Sequence, residues 1–152
     1  MTDSSYMTHM TNLPDPSRQP EFYASVPSKR FFAWIVDLVV ILLLVLLALP
    51  FTAFLGVFFL PLMYLVFGFA YRVVTLANGS ATLGMRLMSI EMRQNDGQRF
   101  DLATAFWHTF GYTVSISFIL VQVVSVVLML TTARGQGLSD HLLGTTALNR
   151  RR

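Results

Sequence analysis

From Phe31 to Tyr71 the chain carries one charged residue, Asp37. As a single helix that run would be about 62 Å long, at about 1.5 Å per residue. A bilayer hydrocarbon core is about 30 Å thick, so one crossing is too short for it and two crossings fit. The break belongs near Pro50, where a helix loses an interior hydrogen bond, with Thr52 and Gly56 softening the same stretch. The expected spans are about 31–49 and 56–75, joined by a turn too short to be a domain. A packed helical hairpin follows.

The composition agrees. Of 152 residues, 54% are hydrophobic and 12% charged, against about 25% charged in a typical soluble domain. The net charge of +3 is small, and arginines flanking membrane segments account for it without nucleic acid. With no cysteine in the chain, disulfides, thiolate chemistry and cysteine metal sites are excluded. His9, His108 and His141 show no ligand spacing, so no metal or cofactor is expected.

Residues 1–28 are polar and broken by Pro14, Pro16, Pro20 and Pro27, which predicts a disordered tail. Residues 76–101 regain charge. Ser89 to Arg93 alternates, and Asp96-Gly97 is a hairpin turn signal. A short cytoplasmic β-ribbon between spans two and three is expected, with an irregular loop as the alternative. Residues 102–130 contain no Asp, Glu, Lys or Arg. Their length predicts a third span at about 107–130, with Trp107 and Tyr112 as interfacial anchors. The polar dip at Ser115, Ser117 and Gln122 permits instead a re-entrant pair of half-helices. The fold class is thus an all-α membrane protein with a domain over 29–149 and a basic end at 150–152.

The positive-inside rule puts Lys29, Arg30, Arg72, Arg86, Arg93 and Arg99 on the cytoplasmic side. A single third crossing leaves Arg134 and Arg150 to Arg152 outside, against that rule. Re-entry keeps them inside. Length gives three crossings, which is the expectation carried forward, and charge gives the alternative.

Arg30, Ala33 and Asp37 sit at i, i+3 and i+7, so Arg30 and Asp37 share a helix face about 10.5 Å apart along the axis. Helical side chains lean toward the N-terminus, which brings Asp37 toward Arg30 and takes Arg30 away. A third group or water is the natural mediator. Ionisable residues inside a span usually face the protein interior and are partnered. Asp37 is therefore either a packing tie, a carrier of ions or protons, or a side chain snorkelling to water. Asp140 is the candidate partner of Arg30, so Arg30, Asp37 and Asp140 are expected to form one buried cluster. Ser139, Asp140 and His141 are adjacent in sequence, which seldom gives triad geometry, and no enzyme is expected. Ser139 or Asp140 is a helix cap instead.

Together these pieces resemble the RDD family of bacterial integral membrane proteins, named for one Arg and two Asp. Arg30, Ala33 and Asp37 are similar to its R-x-x-A-x-x-x-D segment. Gly79, Thr82, Gly84 and Arg86 are similar to its G-x-T-x-G-[KR] segment, followed by a turn at Asp96-Gly97. Leu138, Asp140, Gly144 and Thr145 are similar to its L-H-D-x-x-x-G-T segment. Three departures stand out. Gly79 and Thr82 are one residue further apart than usual, Met85 sits where a basic residue is common, and Ser139 replaces a His. The resemblance implies an inner-membrane protein with its N-terminus cytoplasmic and a transport-associated role, or a scaffold or accessory role in which the Arg and Asp residues tie helices together. A third role, an intramembrane enzyme, ranks behind both. Its partners would be the bilayer and a second copy or another membrane protein.

Overall fold

The computed structural model describes residues 11–150. Two long helices form the expected hairpin: α1 (Val26–Ala48) and α2 (Leu60–Gly79). With 23 and 20 residues, they are about 35 and 30 Å long, enough for a bilayer core. Apolar outward faces fit them to lipid, and both are long and apolar enough to cross a membrane. On α1 the buried residues Ala33, Asp37, Ile41 and Val45 recur every four positions, the stripe that faces the bundle. The break falls at Pro50 as the sequence predicts. Two 3₁₀ segments, Leu49–Thr52 and Leu55–Phe59, flank Ala53 and Phe54, both with positive φ.

After α2 come a one-turn helix α3 (Leu83–Leu87) and strand β1 (Ile90–Gln94). Then follow α4 (Leu102–Ser117), α5 (Ile119–Thr131), the short α6 (Leu138–Leu143) and β2 (Thr145–Asn149). The predicted turn forms: Gly97 has φ 80, its N–H donates to Gln94 O, and Gln94 N–H donates to Gln98 O. The expected ribbon partner is corrected, however. The strand that pairs with β1 is not the segment after Gly97 but β2, antiparallel, with Met92 opposite Ala147. Phe100, buried beneath Ser80, pulls the chain away toward α4 after the turn, its N–H on Ser80 Oγ at 2.6 Å.

The third span expected from length is broken into two helices, a shape that fits a broken span or the re-entrant alternative. α4 and α5 are bent by 118° at Phe118. With 16 and 13 residues the arms are about 24 and 20 Å long, each short of a bilayer core. No proline or glycine makes the bend. Thr113 Oγ1 bonds Thr109 O and Ser117 Oγ bonds Thr113 O, the backward side-chain bonding that bends helices. Ser115 Oγ then donates to Gln122 Oε1 at 3.0 Å across the corner. The chain turns back on itself at this corner.

Its return is fixed by contacts with the N-terminal end. Lys29 Nζ donates to Asn149 Oδ1 at 2.7 Å, and Asn149 Nδ2 donates to Glu21 O and Ala24 O. Arg134 reaches Thr11. The predicted disordered tail is corrected from Thr11 onward: Leu13 is buried, Pro20–Phe22 forms a 3₁₀ turn, and Asn12 N–H bonds Asn95 O. The remainder of that prediction, residues 1–10, lies outside the described residues. The basic end expected at 150–152 is described only at Arg150, which pairs with Glu91. Burial alone would raise the Glu91 carboxyl; hydrogen bonds and charge from Arg93 and Arg150 outweigh it and hold the group below its ordinary value.

Candidate functional site

The three ionisable residues singled out in the sequence belong to two separate nodes. The first is built on Asp37, which is 1% exposed. Tyr71 OH donates to Oδ1 at 2.7 Å, Gly84 N–H to Oδ1 at 2.9 Å and Thr82 Oγ1 to Oδ2 at 2.7 Å. The guanidinium of Arg72 stands 3.6 Å from Oδ2, an ion pair beyond hydrogen-bond length. The expectation that Arg30 shares this cluster is therefore corrected. Both side chains lie on one face, but Arg30 leans toward the helix start and finds another carboxylate.

The segment Gly79 to Arg86 exists to deliver these donors. Thr82 caps α3, accepting from Met85 N–H while donating to Asp37. Gly84 must be glycine: a Cβ there would lie 2.1 Å from Ala33 O and 2.9 Å from Asp37 Oδ1. Ala33 and Gly84 are the small residues that let α1 and α3 touch backbone to backbone. Arg86 is exposed and turns away, its Nε on Ala81 O and its guanidinium over Gly79. It has no part in the node.

The second node is built on Asp140, fully buried on α6. Arg30 Nη1 donates to Oδ2 at 2.6 Å and Gly137 N–H to Oδ2 at 3.0 Å. His108 Nε2 lies 2.9 Å from Oδ1, and Thr145 Oγ1 donates to Oδ1 at 2.9 Å. The salt bridge expected between Arg30 and Asp140 is thus present, though their separation along the chain is large. Burial alone would raise this carboxyl; the charge of Arg30 and the hydrogen bond from His108 outweigh it and hold Asp140 well below the usual carboxylate range. An ionised carboxylate only accepts, so His108 carries its proton on Nε2.

The C-terminal motif is one structural unit. Leu138 N–H is held by Ser125 Oγ at 3.0 Å, Gly144 ends α6 with φ 63, and Thr145 closes onto Asp140 as β2 begins. A Cβ on Gly144 would meet Asn95 Nδ2 at 2.4 Å. Asp140 also serves the expected capping role through Gly137 N–H. Ser139 is buried against Gly111, while His141 is exposed and bonds Gly137 O. The three adjacent side chains do not converge.

Arg72 and Tyr71 belong to the first node, His108 to the second, and Tyr112 lies against Arg72; none was singled out as a site residue by the sequence. Arg72 read as a flanking cation, yet it lies within α2 and 9% exposed, its guanidinium 4.5 Å above the Tyr112 ring. Tyr112 is not an interfacial anchor as expected. It accepts from Trp34 Nε1 at 2.8 Å inside the bundle, whereas Trp107 is exposed. The available signal was spacing: His108, Thr109, Tyr112 and Ser115 fall on one face of α4.

Residues of both nodes line one cavity of about 790 Å³ between α1, α2 and the α4–α5 hairpin. Its polar lining includes Arg72, Asp37, Thr109, Tyr112 and Ser115, and its apolar lining includes Phe31, Ile119 and Leu130.

No curated protein and no solved structure matches this sequence. The model of the RDD family matches residues 24–144, which takes in Asp37, Asp140 and most of the chain. By that match the chain belongs to the RDD family.

Proposed function

We propose that this is a transport-associated protein of the bacterial inner membrane that moves an ion or small solute through the cavity beside Asp37 and Arg72. One observation carries the reading: an ionisable pair within the spans, 3.6 Å apart, lines a cavity of about 790 Å³. Such residues in a membrane mark pathways more often than surface charges do. Both described ends are cytoplasmic in this reading. The positive-inside rule supports it, since the turn between α1 and α2 has no charged residue. Two crossing helices and a re-entrant hairpin make a thin wall, so a second copy or another membrane protein completes the pathway. The role involves no catalytic step.

Asp37→Asn tests it. Thr82 can reverse its hydroxyl toward the new amide, so the fold is expected to survive. Arg72 loses its counter-charge, and ion or solute flux in proteoliposomes is expected to change about tenfold, equivalent to about 1.4 kcal/mol. Normal flux in the variant, or none in the wild type, removes the reading.

A scaffold reading has its own support. Asp37 and Asp140 already accept three and four bonds within the protein, as packing ties do. It expects Asp37→Asn or Arg30→Gln to lower thermal stability or assembly in detergent, with no flux to lose.

A further inference from the structure

The carboxylate that lines the cavity is spent and the donors beside it are not. Asp37 accepts from Tyr71, Gly84 and Thr82, so its oxygens are occupied by neutral groups. Arg72 is left with an ion pair at 3.6 Å and, among the described residues, no hydrogen bond from its guanidinium. Thr109 is 1% exposed, and its Oγ1 is buried with no hydrogen-bond partner among the described residues. Tyr112 accepts from Trp34, which leaves its own proton to give. Arg72, Thr109 and Tyr112 all line the cavity. A buried hydroxyl without a partner costs about 1–3 kcal/mol, so something is expected to meet it.

Much of the lining is apolar and exposed. Phe31, Ile119 and Leu130 line the cavity while being 56%, 80% and 70% exposed on the outward face. α5 packs chiefly on α4 and α6, and the cavity lies between it and α1. A guanidinium fork suits a planar oxyanion. Arg30 is tied to Asp140 at 2.6 Å, whereas Arg72 stands 3.6 Å from Asp37 with its guanidinium hydrogen bonds unmade among the described residues, so one cation is available and the site suits a singly charged head, not a dianion. The volume is in the range of about 300–1,000 Å³ that encloses one small ligand.

We propose that this cavity binds a single-chain amphiphile with one carboxylate head. The head lies on Arg72, Thr109 and Tyr112, and the chain runs out along Phe31, Ile119 and Leu130 into the lipid. The proposal deepens the solute-cavity reading and rests on it.

Trp34 lines the cavity and Trp107 does not, and they are the two tryptophans in the chain. Trp107→Phe therefore leaves a single reporter. The full chain in lipid nanodiscs is titrated with a brominated long-chain fatty acid, its methyl ester, and a brominated phosphatidylglycerol. Saturable quenching of Trp34 by the acid, well above that by the ester or the phospholipid, is expected. Arg72→Gln weakens it by at least about tenfold and Thr109→Val by about fivefold, as the loss of a charged and a neutral hydrogen bond predicts. Thr109→Val leaves the thermal midpoint unchanged or raised, because its hydroxyl has no partner to lose. Should Arg72→Gln fail to fold, Thr109→Val alone decides.

Equal quenching by acid and ester, quenching by the phospholipid alone, or unchanged affinity in Thr109→Val overturns the proposal, the last leaving water as the occupant of that hydroxyl. Binding of the acid without flux would keep this inference and remove the transport reading. Flux of another solute without such binding would do the reverse.

Discussion

Asp140→Ala is expected to lose about 3–5 kcal/mol of stability, the cost of leaving a buried charge without its partner. The side chain accepts from Arg30, His108, Thr145 and Gly137. Removing it strands a guanidinium and three further donors at once, where the chain returns to the start of α1. A thermal or denaturant midpoint in detergent reads the loss. The double variant Arg30→Met with Asp140→Leu separates two causes. Removing both charges of a buried pair is often neutral, whereas removing one is not. The pair is therefore expected to lose less than the sum of its single variants. A strictly additive result would show that the ion pair contributes nothing of its own.

Gly84→Ala is the second large effect. Alanine in a helix is ordinarily better than glycine by about 0.5–1 kcal/mol. Here the added Cβ would lie 2.1 Å from Ala33 O and 2.8 Å from Ala33 C, both backbone atoms that cannot rotate aside. α3 must move away from α1, and its N–H then leaves Asp37. Overpacking costs about 1–3 kcal/mol, occasionally more, and a lost bond to a charged group adds about 1.5–3 kcal/mol. The steric term wins over propensity by a wide margin. Gly68→Ala is the control. Its Cβ would meet Ile41 side-chain atoms at 3.5 Å, ordinary contact, and the variant is expected to match the wild type or exceed it. Similar midpoints for the two variants would contradict the close approach of α1 and α3.

Which parts of this were legible beforehand follows the range of the interactions. The Phe31–Tyr71 hairpin was legible because length and the proline at position 50 are local facts. The Arg30–Asp140 pair was legible because buried charges need opposite partners, whatever their distance in sequence. The turn at Asp96-Gly97 was legible too, but its strand partner was not. Which segment covers the edge of β1 depends on where Phe100 is buried and where the C-terminus returns. The bend at Phe118 carries no proline or glycine; serine and threonine hydroxyls turned back onto their own helix make it. Arg72 was mistaken for a flank because it lies close to the expected end of α2. Its burial depends on Tyr112, a residue on another helix. Thr82 and Gly84 were marked by their motif, yet nothing in the motif says that the donors point at Asp37.

The central claim is that the α4–α5 hairpin re-enters, so that the two described ends of the chain lie on one side of the membrane. The chain has no cysteine, so single cysteines at Asn12, Phe54 and Arg150 can each be probed with an impermeant thiol reagent on intact cells and after permeabilisation. The expected result is that Asn12→Cys and Arg150→Cys share one pattern and Phe54→Cys shows the opposite one. Labelling of Arg150→Cys together with Phe54→Cys, and apart from Asn12→Cys, would place the C-terminus across the membrane and contradict the account.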